Sequence, residues 1–401
     1  MFFWLQRRMS KKKIGLLPKL IIAIALGVAV GMVAPEKFIA VFATFNGIFN
    51  QFLNFVIPLI IIGFVVPGIA DLGTGAGKTL AITALVAYLS TIIAVSVAYF
   101  VDSATFPAFL EVGSIVLDNA QNAEETMVAG LFTIEMPAIM GVMSALILSF
   151  TLGLGIAVTN AERLKGIFNE FQAIISKVIA SIIIPLLPFH VFGIFSNLAF
   201  SGTVFEIMSV FIKVFGIILL LHIGILVLQY VIAGAASKQN PFVLLKNMIP
   251  AYFTALGTQS SAATIPVTLE QTKKNGVRNE VADFVVPLCA TIHLSGSTIT
   301  LTSCAIAIMM LNGMEVTFMS ILPFVLMLGV TMVAAPGVPG GAVMAALGVL
   351  ETMLHFNPMM LNLMIALYIA QDSFGTACNV TGDGAIAVLI NKITSKDKAK
   401  E

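Results

Sequence analysis

Three stretches of this chain, 46–70, 79–101 and 137–158, contain no charged residue at all. Each exceeds the roughly 20 apolar residues that an α-helix needs to cross the hydrocarbon core of a bilayer. Water cannot satisfy backbone groups at that depth, so only helices and closed barrels span it. Strands of a barrel alternate apolar and polar residues, and these stretches do not. Of 401 residues 59% are hydrophobic and 10% charged, whereas a soluble domain carries about 25% charged residues. So few charges cannot cover a water-facing surface. The chain reads as an all-α polytopic membrane protein, one membrane domain over 1–401.

A near-neutral total charge hides an asymmetry. Arg7, Arg8, Lys11, Lys12, Lys13 and Lys19 crowd the start, and Lys392, Lys396, Lys398 and Lys400 crowd the end. Arg163 with Lys165, Lys238 with Lys246, and Lys273, Lys274 and Arg278 mark three internal connections. The connection after the third apolar stretch is instead acidic: Asp102, Glu111, Asp118, Glu124, Glu125 and Glu135. Cytoplasmic loops accumulate Lys and Arg, so both termini are expected in the cytoplasm and the acidic loop outside the cell's inner membrane. No small-residue cleavage site precedes the second span, so the first reads as a retained helix rather than a signal peptide. Cys289, Cys304 and Cys378 all lie in apolar segments, which indicates neither a disulfide framework nor a metal cluster. No glycine-rich phosphate loop follows a strand, so ATP drive has no support, and no nucleic-acid partner is expected.

Six complete spans are expected at about 14–34, 45–71, 78–101, 137–159, 166–200 and 206–235. Several are longer than the bilayer is thick and should tilt or kink, with Pro185 and Pro188 the kink points of the fifth. Beyond them the plan changes. Residues 241–271 comprise an apolar piece, the small-polar knot "GTQSSAATIP" and a short piece leading to basic residues; one span, 279–311, follows. Residues 317–354 repeat the plan around "APGVPGGAV", and a final span, 358–391, closes the chain. The charge bias puts the base of the first hairpin inside and that of the second outside. Two halves of opposite orientation, each with an interrupted helix, point to a transporter with its site near the bilayer midplane.

The final span contains "QDSFGTACNVTGDG", residues 371–384. On a helix Asp372, Thr376, Asn379 and Asp383 sit at i, i+4, i+7 and i+11 and share one face. Acceptors buried in a bundle are costly unless something cationic meets them; an ammonium group or a sodium ion would, and pairing with other helices is the plainer alternative. The penultimate span, "PLCATIHLSGSTIT", offers Thr291, His293, Ser295, Ser297 and Thr298 around Gly296. The first knot places Ser260 and Ser261 at a helix N-terminus, where free N–H groups attract a carboxylate. An acid stripe facing an anion-binding helix end suits a zwitterion. The expected partners are therefore an amino acid, a monovalent cation and the lipid bilayer.

Four motifs, "SSAATIP", "PLCATIHLSG", "GVPGGA" and "NVTGDG", resemble in order and spacing those of the dicarboxylate/amino-acid:cation symporters, the glutamate-transporter homologues. The likeness runs from about residue 15 to 393. It implies eight transmembrane helices plus two re-entrant helical hairpins, inverted repeats, an elevator-type transporter fold and a homotrimer. It further implies scaffold helices at 14–71 and 137–235, and a moving transport domain at 78–101 and 241–393 with hairpins 241–271 and 317–354. Residue by residue, Asp372 matches the aspartate that holds the substrate's α-amino group. Asn379 and Thr376 match side chains near its α-carboxylate and side chain. Ser261, beside Ser260, matches a serine that holds the carboxylate, and Ser297 a further contact. Gly337 to Ala342 match the tip of the second hairpin, the gate over the site, with Gly337, Val338 and Ala342 the expected substrate contacts. Asp383, with Asn379, matches a sodium site. The resemblance implies no organic cofactor and no catalytic residue.

Two departures stand out. Acidic-substrate members carry an arginine where this chain has Gly375, which points to a neutral amino acid and leaves empty volume; serine, threonine, alanine or something bulkier remain open. The family's Asn-Met-Asp triplet reads His293-Leu294-Ser295 here, so the cation site drawn from His293, Ser295, Asn379 and Asp383 lacks one carboxylate. His293 then either supports proton coupling or is a hydrogen-bonded histidine packed beside the site. Proton coupling, an acidic amino-acid or dicarboxylate substrate, an intramembrane hydrolase built on Ser261 and His293, and a channel are the rival readings. Lys177 and Lys213 are expected to snorkel. Tyr88, Ser90 and Thr91 sit where the family contributes polar groups to an ion site.

Overall fold

The computed structural model describes residues 16–73, 77–113, 128–332, 335 and 339–397, and these contain helices and no strand. The first six helices are α1 (Leu16–Gly31), α2 (Glu36–Gly73), α3 (Gly77–Thr105), α4 (Val142–Thr159), α5 (Glu162–Val178) and α6 (Ile184–Phe200). They are followed by α7 (Val204–Ser237), α8 (Pro241–Asn247), α9 (Ile249–Thr258), α10 (Ser261–Lys274) and α11 (Asn279–Ile292). The last four are α12 (Ser295–Leu311), α13 (Phe318–Met332), α14 (Gly341–Leu354) and α15 (Pro358–Asp397).

Among the described residues, five stretches are long and apolar enough to cross a membrane: Glu36–Ala70, Thr79–Ala108, Glu162–Phe200, Ile207–Ser237 and Asn279–Leu311. Four apolar helices are shorter, and α15 is long but diluted by its polar residues. The outer surface is apolar: Leu220 is 69% exposed and Ile212 66%, an arrangement that lipid rather than water would solvate. Just before Pro185, where a kink is expected, the helix widens into a broader turn over Ile179–Ile183, between α5 and α6. A proline clashes with the carbonyl four residues before it, and a wider turn relieves that.

Two apolar cores share the final helix. One joins the second hairpin, α13 and α14, to the residues before Asp372, such as Tyr368 and Ile369. The other joins the first hairpin, α8 to α10, and α11 to the residues after Thr376, such as Ala377 and Ile386. The polar stripe of α15 therefore lies where the two cores meet. Met248 interrupts the first arm of the first hairpin, because Pro250 cannot donate to the helix before it. The base of that hairpin is tied down by an ion pair of 2.6 Å between Lys273 and Asp283. Arg278 adds bonds to Asn391 at 2.9 Å and Thr394 at 2.8 Å.

The structure refines one expectation and corrects another. The penultimate span is not continuous: it breaks at His293 and Leu294, where His293 adopts extended backbone with φ −119°. Ser295, Gly296 and Ser297 are poor helix formers, and their free amides find a partner outside the helix, described below. Asp102 is not in an external loop. It lies in the last turn of α3 and is fully buried. Glu111 and Glu135 are exposed, while Asp118, Glu124, Glu125, most of the N-terminal basic cluster and the last basic residues lie outside the described residues.

Candidate functional site

The four stripe residues of α15 are all buried: Asp372, Thr376, Asn379 and Asp383 are at most 5% exposed. The neighbouring elements reach them with specific groups. At the tip of the second hairpin the Gly340 amide donates to Asp372 Oδ2 at 2.7 Å. Gly340 has φ +73°, a left-handed conformation that glycine adopts without strain, and Ala342 follows it in the first turn of α14. Gly337 and Val338 lie outside the described residues.

Asn379 caps the helix that begins after the break. Its Oδ1 accepts from the Gly296 amide at 2.8 Å and the Ser297 amide at 3.1 Å, and its Nδ2 donates to Ser297 Oγ at 2.8 Å. The first amides of a helix have no partner within it, so a side chain from α15 completes α12. Gly296 is what allows the approach. A Cβ there would stand 2.5 Å from the Gly375 carbonyl oxygen and 2.5 Å from Cys378 Cβ. Gly375 does not leave empty volume on that side, because its own Cβ would point at Ser297, 3.4 Å from the backbone amide. That distance is ordinary contact, so a side chain is admitted only if its outer atoms turn elsewhere.

At the break itself, His293 Nδ1 lies 3.0 Å from Asp383 Oδ1 and Nε2 lies 3.0 Å from Ser90 Oγ. Gln229 on α7 donates to Ser90 Oγ at 3.0 Å and to Ser295 Oγ at 3.2 Å. Four segments of the chain thus meet in one buried network. Of the third-span residues, Ser90 joins it; Tyr88 instead donates to the Leu326 carbonyl of the second hairpin at 3.3 Å, and Thr91 is buried without a partner. Ser90, His293 and Asp383 stand in the order of a hydrolytic relay, yet Ser261 has no part in it. The Gly296 and Ser297 amides, candidate oxyanion donors, are taken by Asn379.

In the first hairpin, Ser260 caps α10, its side chain accepting from the Ala263 amide at 3.3 Å, and Ser261 is the buried first residue of that helix. Gln229 was not legible as a site residue, and Gly340, within the expected hairpin tip, was not legible as a partner of Asp372. One is an isolated polar residue in an apolar helix, and the other acts through its backbone. Outside the site, Lys213 is exposed with Nζ 5.6 Å from the centre of the Phe109 ring, and Lys177 is exposed.

A helical membrane protein whose buried acid stripe is met by a hairpin tip and by the start of a broken helix has the form of an ion-coupled carrier. The chain belongs to the sodium:dicarboxylate symporter family, which it matches over residues 16–393. A serine/threonine transporter of Streptococcus suis is 28% identical over 357 residues, 83% of this chain and 94% of the relative. One of Acinetobacter baumannii is 25% identical over 391 residues, 92% of this chain and 95% of the relative. An excitatory amino acid transporter of Caenorhabditis elegans is 27% identical over 259 residues, 63% of this chain and 51% of the relative. The protein is thus a multi-pass membrane transporter of a sodium-coupled symporter family for amino acids or dicarboxylates.

Proposed function

We propose that this protein imports a neutral amino acid together with sodium across the cell's inner membrane, and that it is not an enzyme. The observation that carries the reading is a buried carboxylate, Asp372, with no positive side chain on the spanning part of its helix: residues 358–391 include no Lys, Arg or His. A substrate ammonium supplies the missing charge. A second carboxylate on the substrate would meet no bidentate partner there, which is costly in a dry site. The N-terminal end of α10, at Ser260 and Ser261, suits the α-carboxylate through the positive end of the helix dipole. Thr376, Ser297 and Asn379 line the same region, and Asp383 and Asn379, with Ser295 near, are the sodium-facing groups. Two relatives are named serine/threonine transporters, which supports the neutral class.

In this reading the bond from the Gly340 amide to Asp372 makes the second hairpin a gate that responds to the ammonium. Eight membrane helices, two re-entrant hairpins, a scaffold of 14–71 and 137–235, a transport domain of 78–101 and 241–393 moving as an elevator, a homotrimer and cytoplasmic termini complete it. The test is uptake into proteoliposomes. L-serine, L-threonine and L-alanine should accumulate when a sodium gradient is imposed, and L-glutamate and L-aspartate should not compete. Accumulation indifferent to sodium, or preferential uptake of glutamate, removes the reading. Gly375→Arg is expected to move preference toward L-aspartate by about ten-fold or more, the worth of one charge-assisted contact; an unchanged serine-to-aspartate ratio counts against the role of that position.

A further inference from the structure

Asp102 takes no part in the site described above, yet it is fully buried and neither of its carboxylate oxygens has a hydrogen-bond partner. It faces α12, where the hydroxyl of Ser303, buried and with no other partner, is the polar group that interacts with it. No positive charge compensates it among the described residues packed around α3. α12 and α13 carry no charged side chain, and the titratable neighbour on α12 is Cys304. Lys213 of α7 rests on the Phe109 ring, and Glu111 is exposed. Of the other buried titratable side chains on the helices around it, Asp372 is engaged with Gly340, Asp383 with His293, and His222 of α7 with the Gly296 carbonyl and Thr300 of α12. A bare carboxylate in such surroundings is costly and marks an ion or proton pathway.

We propose that Asp102 is a proton-binding site of the transport cycle, separate from the amino-acid and sodium groups. The proton comes from external water and forms an O–H bond on one carboxylate oxygen, and that hydroxyl donates to Ser303 Oγ. It leaves to cytoplasmic water when the carrier turns, and no other covalent bond changes. A proton suits the place better than a metal ion, because it needs one oxygen and one acceptor rather than a shell of ligands. Asp102 lies three residues before the end of α3, about 5 Å from the helix end, which gives it a short route to the outside. Ser90 is twelve residues earlier on the same helix, about 18 Å away, so the His293–Asp383 network is a different place. On the side toward the amino-acid site, Gln371 Nε2 stands 3.6 Å from Sγ of Cys304, the residue after Ser303, and Gln371 precedes Asp372 with its own Oε1 unpaired.

The inference rests on the transport reading only for its uptake readout. Proteoliposomes holding a pH-sensitive dye are given an inward sodium gradient and L-serine or L-threonine. Wild-type uptake is expected to acidify the lumen, and Asp102→Asn to keep uptake while losing the acidification. Wild-type uptake without acidification, or undiminished acidification by the Asn variant, overturns the proposal and leaves the amino-acid reading standing. Infrared spectroscopy of the purified protein needs no transport and no Asp102 variant. A pH-titrating carboxylic C=O band that shifts in Ser303→Ala supports the site, and the absence of such a band or of its shift overturns it.

Discussion

Asp372→Asn is expected to abolish sodium-driven amino-acid uptake while leaving the fold intact. The amide keeps the shape of the carboxylate, and its oxygen can still accept from Gly340, the bond of 2.7 Å that holds the second hairpin tip. What it loses is the negative charge opposite the substrate ammonium. Removing one partner of a buried charge pair costs about 2–5 kcal/mol, roughly 30-fold to several thousand-fold in Kd. Binding followed by the stabilisation that a ligand confers on the native state should show the shift with L-serine or L-threonine vanish, while the unliganded variant melts near the wild type. A variant that binds with unchanged affinity would disprove the assignment of Asp372 to the ammonium.

Gly296→Ala carries the second large effect, and here the cause is packing. The added methyl would lie 2.5 Å from the Gly375 carbonyl oxygen, a backbone atom in the middle of a continuous helix. Neither wall can yield as a side chain would, so α12 must move away from α15. That movement breaks the bonds from Asn379 to the Gly296 and Ser297 amides. Overpacking costs about 1–3 kcal/mol and each of the two buried bonds lost about 1 kcal/mol, so roughly 3–5 kcal/mol of stability should go, together with uptake. Gly216→Ala is the control: nothing lies within 4 Å of its Cβ position, and alanine in a helix interior is slightly more stable than glycine. Thermal unfolding in detergent should therefore move in opposite directions for the two variants. Equal behaviour would mean that the seam between α12 and α15 is not close-packed.

Hydrophobic runs and the spacing of four polar residues were enough to place this chain in a membrane, make it helical and put an acid stripe on one helix. These are local properties, since a run longer than the bilayer and a helical period are visible along a single strand of sequence. The knots around Ser260 and Gly340 were visible for the same reason, small residues interrupting apolar helix. Partners across helices were not. Asn379 reads as a binding group, and only the approach of α12 to α15 turns its amide into a helix cap. His293 is a lone histidine in an apolar span, and only the fold sets its ring between Ser90 and Asp383, residues some two hundred and ninety positions apart in the chain. Asp102 sits where hydropathy falls and acids cluster, so in one dimension it belongs to a loop. It is buried because α12 packs against the last turn of α3, and long-range packing of that kind leaves no periodic trace in the residues it joins.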